Sequence, residues 1–406
     1  MTTPKILLGG VPFGRNNVGD EAILECIVRI LRNICPNADI TVSTDDRKGT
    51  EHKLNVKTVP LFGFAPPFSR QEMSKALTDS DLFIWSGATG LSDYPESTVA
   101  MLEIAQAAGT KTVLFGVGMN NELNPALFTL FPGPRRTVYD AVKTCTLGKL
   151  DLTQRTEESK KERAREKIGN TLKCADLVAL RDPESVVALS QCGNIPNVTV
   201  GADSALILEP ANLEQIQLPE ETRQLLNSDI PKIGICVSAQ REIQNAEKLV
   251  QYFDQWVKDD SRRIVFVPMN PLTDSSLMEN LRRQMTYSSR AIVIESRREP
   301  SEILAVASRL NVIASSRLHL LILASIVHVP IVGISRGSKV DNFLKPFGLQ
   351  SVGSVEECNF QHLDSEVRRL LDERSTFETT SRTVRNDLLK RLDQATNQLH
   401  QVISKL

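Results

Sequence analysis

Short apolar runs alternate with longer amphipathic stretches along almost the whole chain. Lys5–Leu8, Asp39–Ser43, Leu82–Trp85, Thr112–Val117, Leu177–Leu180 and Val198–Val200 read as strands. Between them, Glu21–Arg32 carries Ile23, Leu24, Ile27, Ile30 and Leu31 at the spacing of one helix face. Val99–Ala108 reads as a second helix. Asp182-Pro183-Glu184 opens a third, with Asp182 as N-cap and Pro in the first turn. A polar, Pro-flanked stretch over 209–230 reads as a linker. A second series follows it, with strands at Lys232–Val237, Ile264–Pro268, Ile292–Ile294, Val312–Ala314 and Ile331–Ile334. Its helices are Ala246–Val257, Ser275–Gln284, Pro300–Ser308 and Leu318–Ser325. Repeated β–α–β alternation predicts an α/β fold, with parallel sheets covered by helices on both faces.

The pattern therefore divides into a first doubly wound domain over 1–208 and a second over 231–375. A chain of 406 residues is too long for one compact core, which supports that division. Ligands of such sheets collect at the C-terminal ends of the strands, here in a cleft between the domains. The remaining segment, 376–406, carries Val384, Leu388, Leu392, Ala395, Leu399, Val402 and Leu406 at helical spacing. It is expected to pack back on the body and bridge both domains; a peripheral membrane contact is the less economical use.

Composition narrows the function. Apolar residues make up 41% and charged residues 24%, as in an ordinary globular protein. The net charge of −1 argues against a surface built for nucleic acid, so any anion must be met by a local cluster. No apolar run reaches membrane-spanning length and the first residues do not read as a signal peptide, so a cytoplasmic setting is expected. Seven cysteines without a CxxC pair argue against a disulfide framework or a zinc site. Most should be small core fillers. Arg155–Lys167, dense in Glu, Lys and Arg, reads as a solvated helix face.

The strand ends carry the candidate chemistry. The glycine-rich turn Gly14–Gly19 leads into Asp20 and Glu21 at a helix start, where Asp20 reads equally well as a helix cap or as a functional group. This turn matches neither GxGxxG nor a Walker A motif, so a nucleotide is not implied. Small-residue loops follow two other strands, at Ser86-Gly87-Ala88-Thr89-Gly90 and Gly116-Val117-Gly118. Arg181 closes an apolar strand and either pairs with Asp182 or Asp203 or forks toward an anion. Asp203 reads as a cap, a cation partner or a base. Arg317 and His319 lie between a strand and a helix, and Lys339 follows the next strand, preceded by Arg336. Adjacent strands lie about 4.8 Å apart, so these side chains can meet on one anion. His319 can also move a proton near neutral pH.

These blocks, in this order, resemble the polysaccharide pyruvyl transferase family. They are Gly19-Asp20-Glu21-Ala22-Ile23-Leu24, Ser86–Leu91, Arg181-Asp182-Pro183-Glu184-Ser185, Ala202-Asp203-Ser204-Ala205, and Arg317-Leu318-His319 with Lys339. The resemblance implies two Rossmann-like halves arranged as in GT-B glycosyltransferases. It implies transfer of pyruvate from phosphoenolpyruvate to a sugar of a polysaccharide or its lipid-linked precursor, forming a ketal and releasing phosphate. No metal or organic cofactor is implied. Arg181, Arg317, His319 and Lys339 would then act on the donor, with His319 transferring a proton. Gly19, Asp20, Glu21, Gly87, Asp203 and Arg336 would bind substrate, Asp20 and its loop on the acceptor side. The sequence departs from the family pattern at Ala88-Thr89, where glycines are usual, at Ser204, where proline is common, and at Ser335–Ser338, where a tyrosine is frequent. The same fold also suits a nucleotide-sugar glycosyltransferase or a non-catalytic anion binder.

Overall fold

The computed structural model describes residues 3–63, 70–239, 243–295 and 297–406. Two all-parallel sheets organise the chain. The first contains β1 (Lys5–Gly9), β2 (Asp39–Thr44), β3 (Lys57–Pro60), β4 (Leu82–Ser86), β5 (Lys111–Val117), β6 (Leu177–Leu180) and β7 (Val198–Val200), in the order β3-β2-β1-β4-β5-β6-β7. The second contains β8 (Lys232–Cys236), β9 (Arg263–Phe266), β10 (Ala291–Val293), β11 (Val312–Ser315) and β12 (Ile331–Gly333), in the order β10-β9-β8-β11-β12. The strand order reverses between β1 and β4 in one sheet and between β8 and β11 in the other, which is where doubly wound sheets open a crevice.

The central strands are buried because their side chains are apolar on both faces, as parallel sheets require. β3 escaped the sequence pattern for the same reason. As an edge strand it is covered on one side only, and Lys57-Thr58-Val59-Pro60 is accordingly polar and Pro-ended. The first helix runs from Val18 to Ile34, three residues earlier than its apolar face suggests, because Asn17 is the N-cap and accepts from the Gly19 N–H. Asp20 is therefore not the cap. Asp182 is one, its carboxylate accepting from the Ser185 N–H at 2.7 Å.

Residues 209–230 contain a 3₁₀ turn, Leu213–Gln215, and a helix, Glu220–Asn227. The Ala211 N–H donates to the Ser301 carbonyl at 2.9 Å. The last helix, Arg374–Ile403, packs on β6 and β7 of the first half and on the turn Lys345–Phe347 of the second. Its apolar face, including Phe377, Val384, Leu392, Ala395 and Leu399, is buried in the protein. Phe377 stacks on Phe347 with centroids 5.9 Å apart. No helix among the described residues is long and apolar enough to cross a membrane. The cysteines divide more evenly than expected. Cys26, Cys192 and Cys236 fill the core, Cys35 and Cys358 are half-buried, and Cys145 and Cys174 are exposed. The stretch Arg155–Lys167 lies within the helix Leu152–Leu172, which buries residues only in its last turn.

Candidate active site

The C-terminal strand ends of the two sheets face each other. Where they meet, the Val18 N–H donates to the Met269 carbonyl across the cleft at 2.9 Å. Ion pairs flank the junction, Arg297 with Asp46 at 3.3 Å, Lys345 with Glu184 at 3.1 Å, and Lys53 with Glu299. A cavity of about 180 Å³ remains between the sheets. Arg181, Arg317, His319, Arg336 and Lys339 line it together with Asn17, Asp20, Thr89, Asp93 and Tyr94.

Each cation reaches this point by a different route. Arg181 leaves the end of β6 with its side chain 9% exposed, 3.4 Å from Asp182 and 3.8 Å from Asp203. It is paired with both carboxylates and also lines the cavity. Gly118, after β5, makes room for it, because a Cβ there would fall 2.4 Å from the guanidinium. Arg317 is the residue before the helix Leu318–Ile326 and forms a two-pronged pair with Asp274, Nε to Oδ2 at 3.0 Å and Nη2 to Oδ1 at 2.7 Å. Asp274 is fully buried. Arg317 is thus anchored by a buried carboxylate as well as lining the cavity. Lys339 sits in the first turn of the helix Ser338–Leu344. Burial pushes its ammonium down to about 8, against the pull of Asp93 and Asp20 and reinforced by Arg336 and Arg181.

His319 is placed by contacts from both halves. Its Nε2 lies 3.5 Å from Asp203 Oδ2, within ion-pair range but outside good hydrogen-bond geometry. On its other side it rests against Gly19, where an added Cβ would fall 2.2 Å from Nδ1. Gly19 therefore serves the site as the floor under His319. Asp203 caps the turn Ser204–Ile207, accepting from the Ala205 N–H at 3.0 Å. Burial pushes its carboxyl up, but His319, Arg181 and the Ala205 N–H outweigh it and hold the group below the usual range.

Asp20 has the opposite balance. Burial pushes its carboxyl up, and His319, the Asn17 amide, Lys339 and Arg317 offset this only in part. Asn17 donates to it at 2.7 Å. Asp20 lines the same cavity as the cations. Glu21 points elsewhere and accepts from the Gly14 N–H at 2.8 Å, closing the turn. Burial raises its carboxyl to about 7, with Asp20 adding to the rise and Gly14 opposing it. Gly87 is off the cavity as well. It has φ +74° and packs so closely on Ile23 that a Cβ would lie 2.8 Å away. Its neighbour Ala88 holds φ +56° on the cavity wall, a conformation that glycine adopts at no cost.

A broader groove of about 540 Å³ adjoins the cavity and shares Asp93, Arg336 and Lys339 with it. Asn120, Asn121, Glu122, Asn124, Pro125 and Ser338 also line it. Asn120 donates to Asp93 at 3.1 Å and accepts from the Ser338 hydroxyl at 3.4 Å. Sequence reasoning missed Asp93, Tyr94, Asp274 and these asparagines. Only Asn17, within the Gly14–Gly19 turn, carried a local signal. No group of His, Cys, Asp and Glu among the described residues has the arrangement of a metal site.

The fold is found in solved structures of low sequence identity. HepE from Anabaena, solved in complex with UDP, superposes with a TM-score of 0.58 at 12% identity over 100% of both chains. The putative UDP-N-acetylglucosamine 2-epimerase of Listeria monocytogenes gives 0.61 at 11% identity over 94% of this chain and 91% of that one. MnaA of S. aureus, in a co-structure with UDP, gives 0.60 at 12% identity over the same shares. The architecture is thus GT-B-like, with two Rossmann-like domains and a final helix packed back on the body. No protein of curated function matches the sequence. The sequence model of the family described as polysaccharide pyruvyl transferase matches residues 17–338, from the helix cap Asn17 to the residue before Lys339. That span takes in the ends of β4, β6, β11 and β12, which carry Thr89, Arg181, Arg317 and Arg336 to the cavity, and the chain belongs to the polysaccharide pyruvyl transferase family.

Proposed function

We propose that the chain transfers pyruvate from phosphoenolpyruvate to a sugar of a polysaccharide or of its lipid-linked precursor. The observation that carries this reading is the convergence of three arginines, one lysine and one histidine on a single buried cavity. Phosphoenolpyruvate carries a carboxylate and a phosphate, and Arg and Lys are the side chains suited to both. Arg181, Arg336 and Lys339 hold these two groups, with Arg317 fixed behind them by Asp274.

Two carboxyls whose surroundings push them in opposite directions supply an acid and a base partner. Asp20, whose carboxyl burial pushes above its usual range, gives a proton to the methylene carbon and leaves an oxocarbenium-like centre at C2. A sugar hydroxyl attacks C2, and His319 takes its proton, the imidazolium being stabilised by ionised Asp203. A second hydroxyl then displaces phosphate and closes the ketal. Its proton leaves with the phosphate, and the proton on His319 returns to Asp20. The asparagine-rich groove beside the cavity offers neutral donors and acceptors of the kind sugar hydroxyls need. A lipid-linked acceptor would set the reaction in the cytoplasm, at the inner face of the membrane.

The test is phosphate release from phosphoenolpyruvate across galactose- and N-acetylhexosamine-terminated acceptors. His319→Gln and Asp20→Asn should each slow release by about 10²- to 10⁴-fold, the usual worth of a proton-transfer group. They should leave intact the thermal stabilisation by phosphoenolpyruvate, about 2.7 kcal/mol at 100 times the dissociation constant. Turnover of His319→Gln close to wild type would sink its role. Stabilisation by UDP and not by phosphoenolpyruvate would favour a glycosyltransferase. Stabilisation by phosphoenolpyruvate without phosphate release from any acceptor would favour a non-catalytic binder.

A further inference from the structure

The chain between the acceptor-side groove and the helix Leu152–Leu172 has an unusual surface. After Asn124 and Pro125, which line the groove, it runs through the short helix Pro125–Phe128 and the helix Pro134–Cys145. The second helix buries none of its residues. Eight large apolar side chains are exposed among the described residues, and four of them fall here: Leu127, Phe131 (66% exposed), Val138 and Leu147 (90% exposed). Helical spacing sets Pro134, Val138, Ala141 and Cys145 on one stripe, and all four are exposed. The opposite face is in use. Arg136 reaches the Leu130 carbonyl at 2.8 Å, and Lys143 pairs with Asp151 at 2.7 Å.

The segment is also basic. Between Pro125 and Leu150 it carries Arg135, Arg136, Lys143 and Lys149 against Asp140; Arg136 lies 3.8 Å from Asp140 and Lys143 pairs with Asp151 just beyond, so Arg135 and Lys149 carry the net charge. Exposed apolar side chains among cations are the composition of a helix that lies in a bilayer interface, where apolar groups enter the acyl boundary and cations meet anionic headgroups. A second copy of the same face would bring like charges together, which opposes self-association.

We propose that residues 127–149 form a docking surface for an anionic lipid bilayer, with Phe131, Val138 and Leu147 as the inserting side chains and Arg135 and Lys149 as headgroup contacts. This replaces the last helix, whose apolar face is buried, as the membrane-facing element. The surface continues into the groove through Pro125 and Asn124, so docking would bring that groove to the membrane.

The test uses the full chain and needs no substrate, so its outcome is separate from that of the transferase reading. Sedimentation with vesicles of phosphatidylglycerol and phosphatidylcholine should pull down the wild type, more weakly at high salt and with phosphatidylcholine alone. The double variant Phe131→Ser, Leu147→Ser should bind about tenfold less or weaker, given the apolar area removed. Its melting temperature should match wild type, because both side chains are exposed. Arg135→Ser with Lys149→Ser should abolish only the preference for phosphatidylglycerol. Absence of the wild type from the anionic vesicle pellet, or equal binding by the Phe131/Leu147 variant, would overturn the proposal. So would light scattering that shows a dimer lost in that variant, since the face would then be an interface between copies.

Discussion

Replacing Asp274 by Asn tests whether the cationic wall of the cavity depends on a single buried carboxylate. Asp274 has no solvent exposure and accepts five hydrogen bonds. Oδ1 takes Arg317 Nη2 at 2.7 Å, the Thr273 hydroxyl at 3.1 Å and the Ala239 N–H at 3.2 Å. Oδ2 takes Arg317 Nε and the Asn270 N–H, both at 3.0 Å. Asn keeps the shape but turns one oxygen into a donor. The less costly orientation puts the amide at Oδ2, where it faces two donors, and leaves Arg317 without a counter-charge. Breaking a buried ion pair from one side costs about 3–5 kcal/mol. Two charge-strength hydrogen bonds at roughly 1.5–3 kcal/mol each lead to a similar figure. With a urea m-value of about 2 kcal/mol/M, the midpoint should fall by roughly 1.5–2.5 M. Fluorescence can localise the loss, because Trp85 lies in β4 and Trp256 in the second half, both fully buried. In a Trp85→Phe background the Trp256 transition should carry the shift. Asp274→Leu combined with Arg317→Met should recover most of it, since no charge is then left unpaired. A loss below about 1 kcal/mol for the single variant would refute the dependence of Arg317 on Asp274.

Gly19→Ala should lower phosphate release about 10²-fold, because the new methyl would push His319 out of place by an ångström or more. Its melting temperature should change little, as the gain in helix propensity offsets part of the strain; activity like wild type would mean His319 can move freely. Lys339 titrates near 8 in the folded state and near 10.5 when unfolded, so the unfolded chain binds the extra proton between these values and stability should rise with pH across that window. Lys339→Met should flatten that rise while abolishing stabilisation by phosphoenolpyruvate, and in the wild type donor affinity should fall as pH passes 8; a pH-independent affinity would exclude Lys339 from the anion site. Glu21 behaves in the opposite sense. Its folded carboxyl titrates near 7 against 4.5 in the reference state, so folding takes up a proton between these values and stability falls as pH rises through them. Glu21→Gln should remove that part of the slope in urea titrations at a series of pH values, and an unchanged slope would place the proton elsewhere.

The two-sheet architecture was legible in the sequence because it rests on local periodicity. Strands such as Leu177–Leu180 and Val198–Val200 and the helix Ala246–Val257 have the bounds that their apolar pattern marks. Arg181, Arg317, His319, Lys339 and Arg336 were also legible, since strand ends can be read from where apolar runs stop. What local pattern does not encode is which partner a side chain meets across the cleft. Gly19 reads as a turn glycine, yet its small size is required by His319, 300 residues downstream. Asp274, which carried no signal in the sequence, anchors Arg317 from the first turn of a helix. Asp20 reads as a cap or an acceptor ligand. Only packing of the second sheet over it withdraws its carboxyl from water and pushes its titration upward. Periodicity and charge along one chain determined the fold and the identity of the cations. Distance and burial, which exist only once the two halves close on each other, decided which groups are anchored, which carboxyls are shifted and which side chains line one cavity.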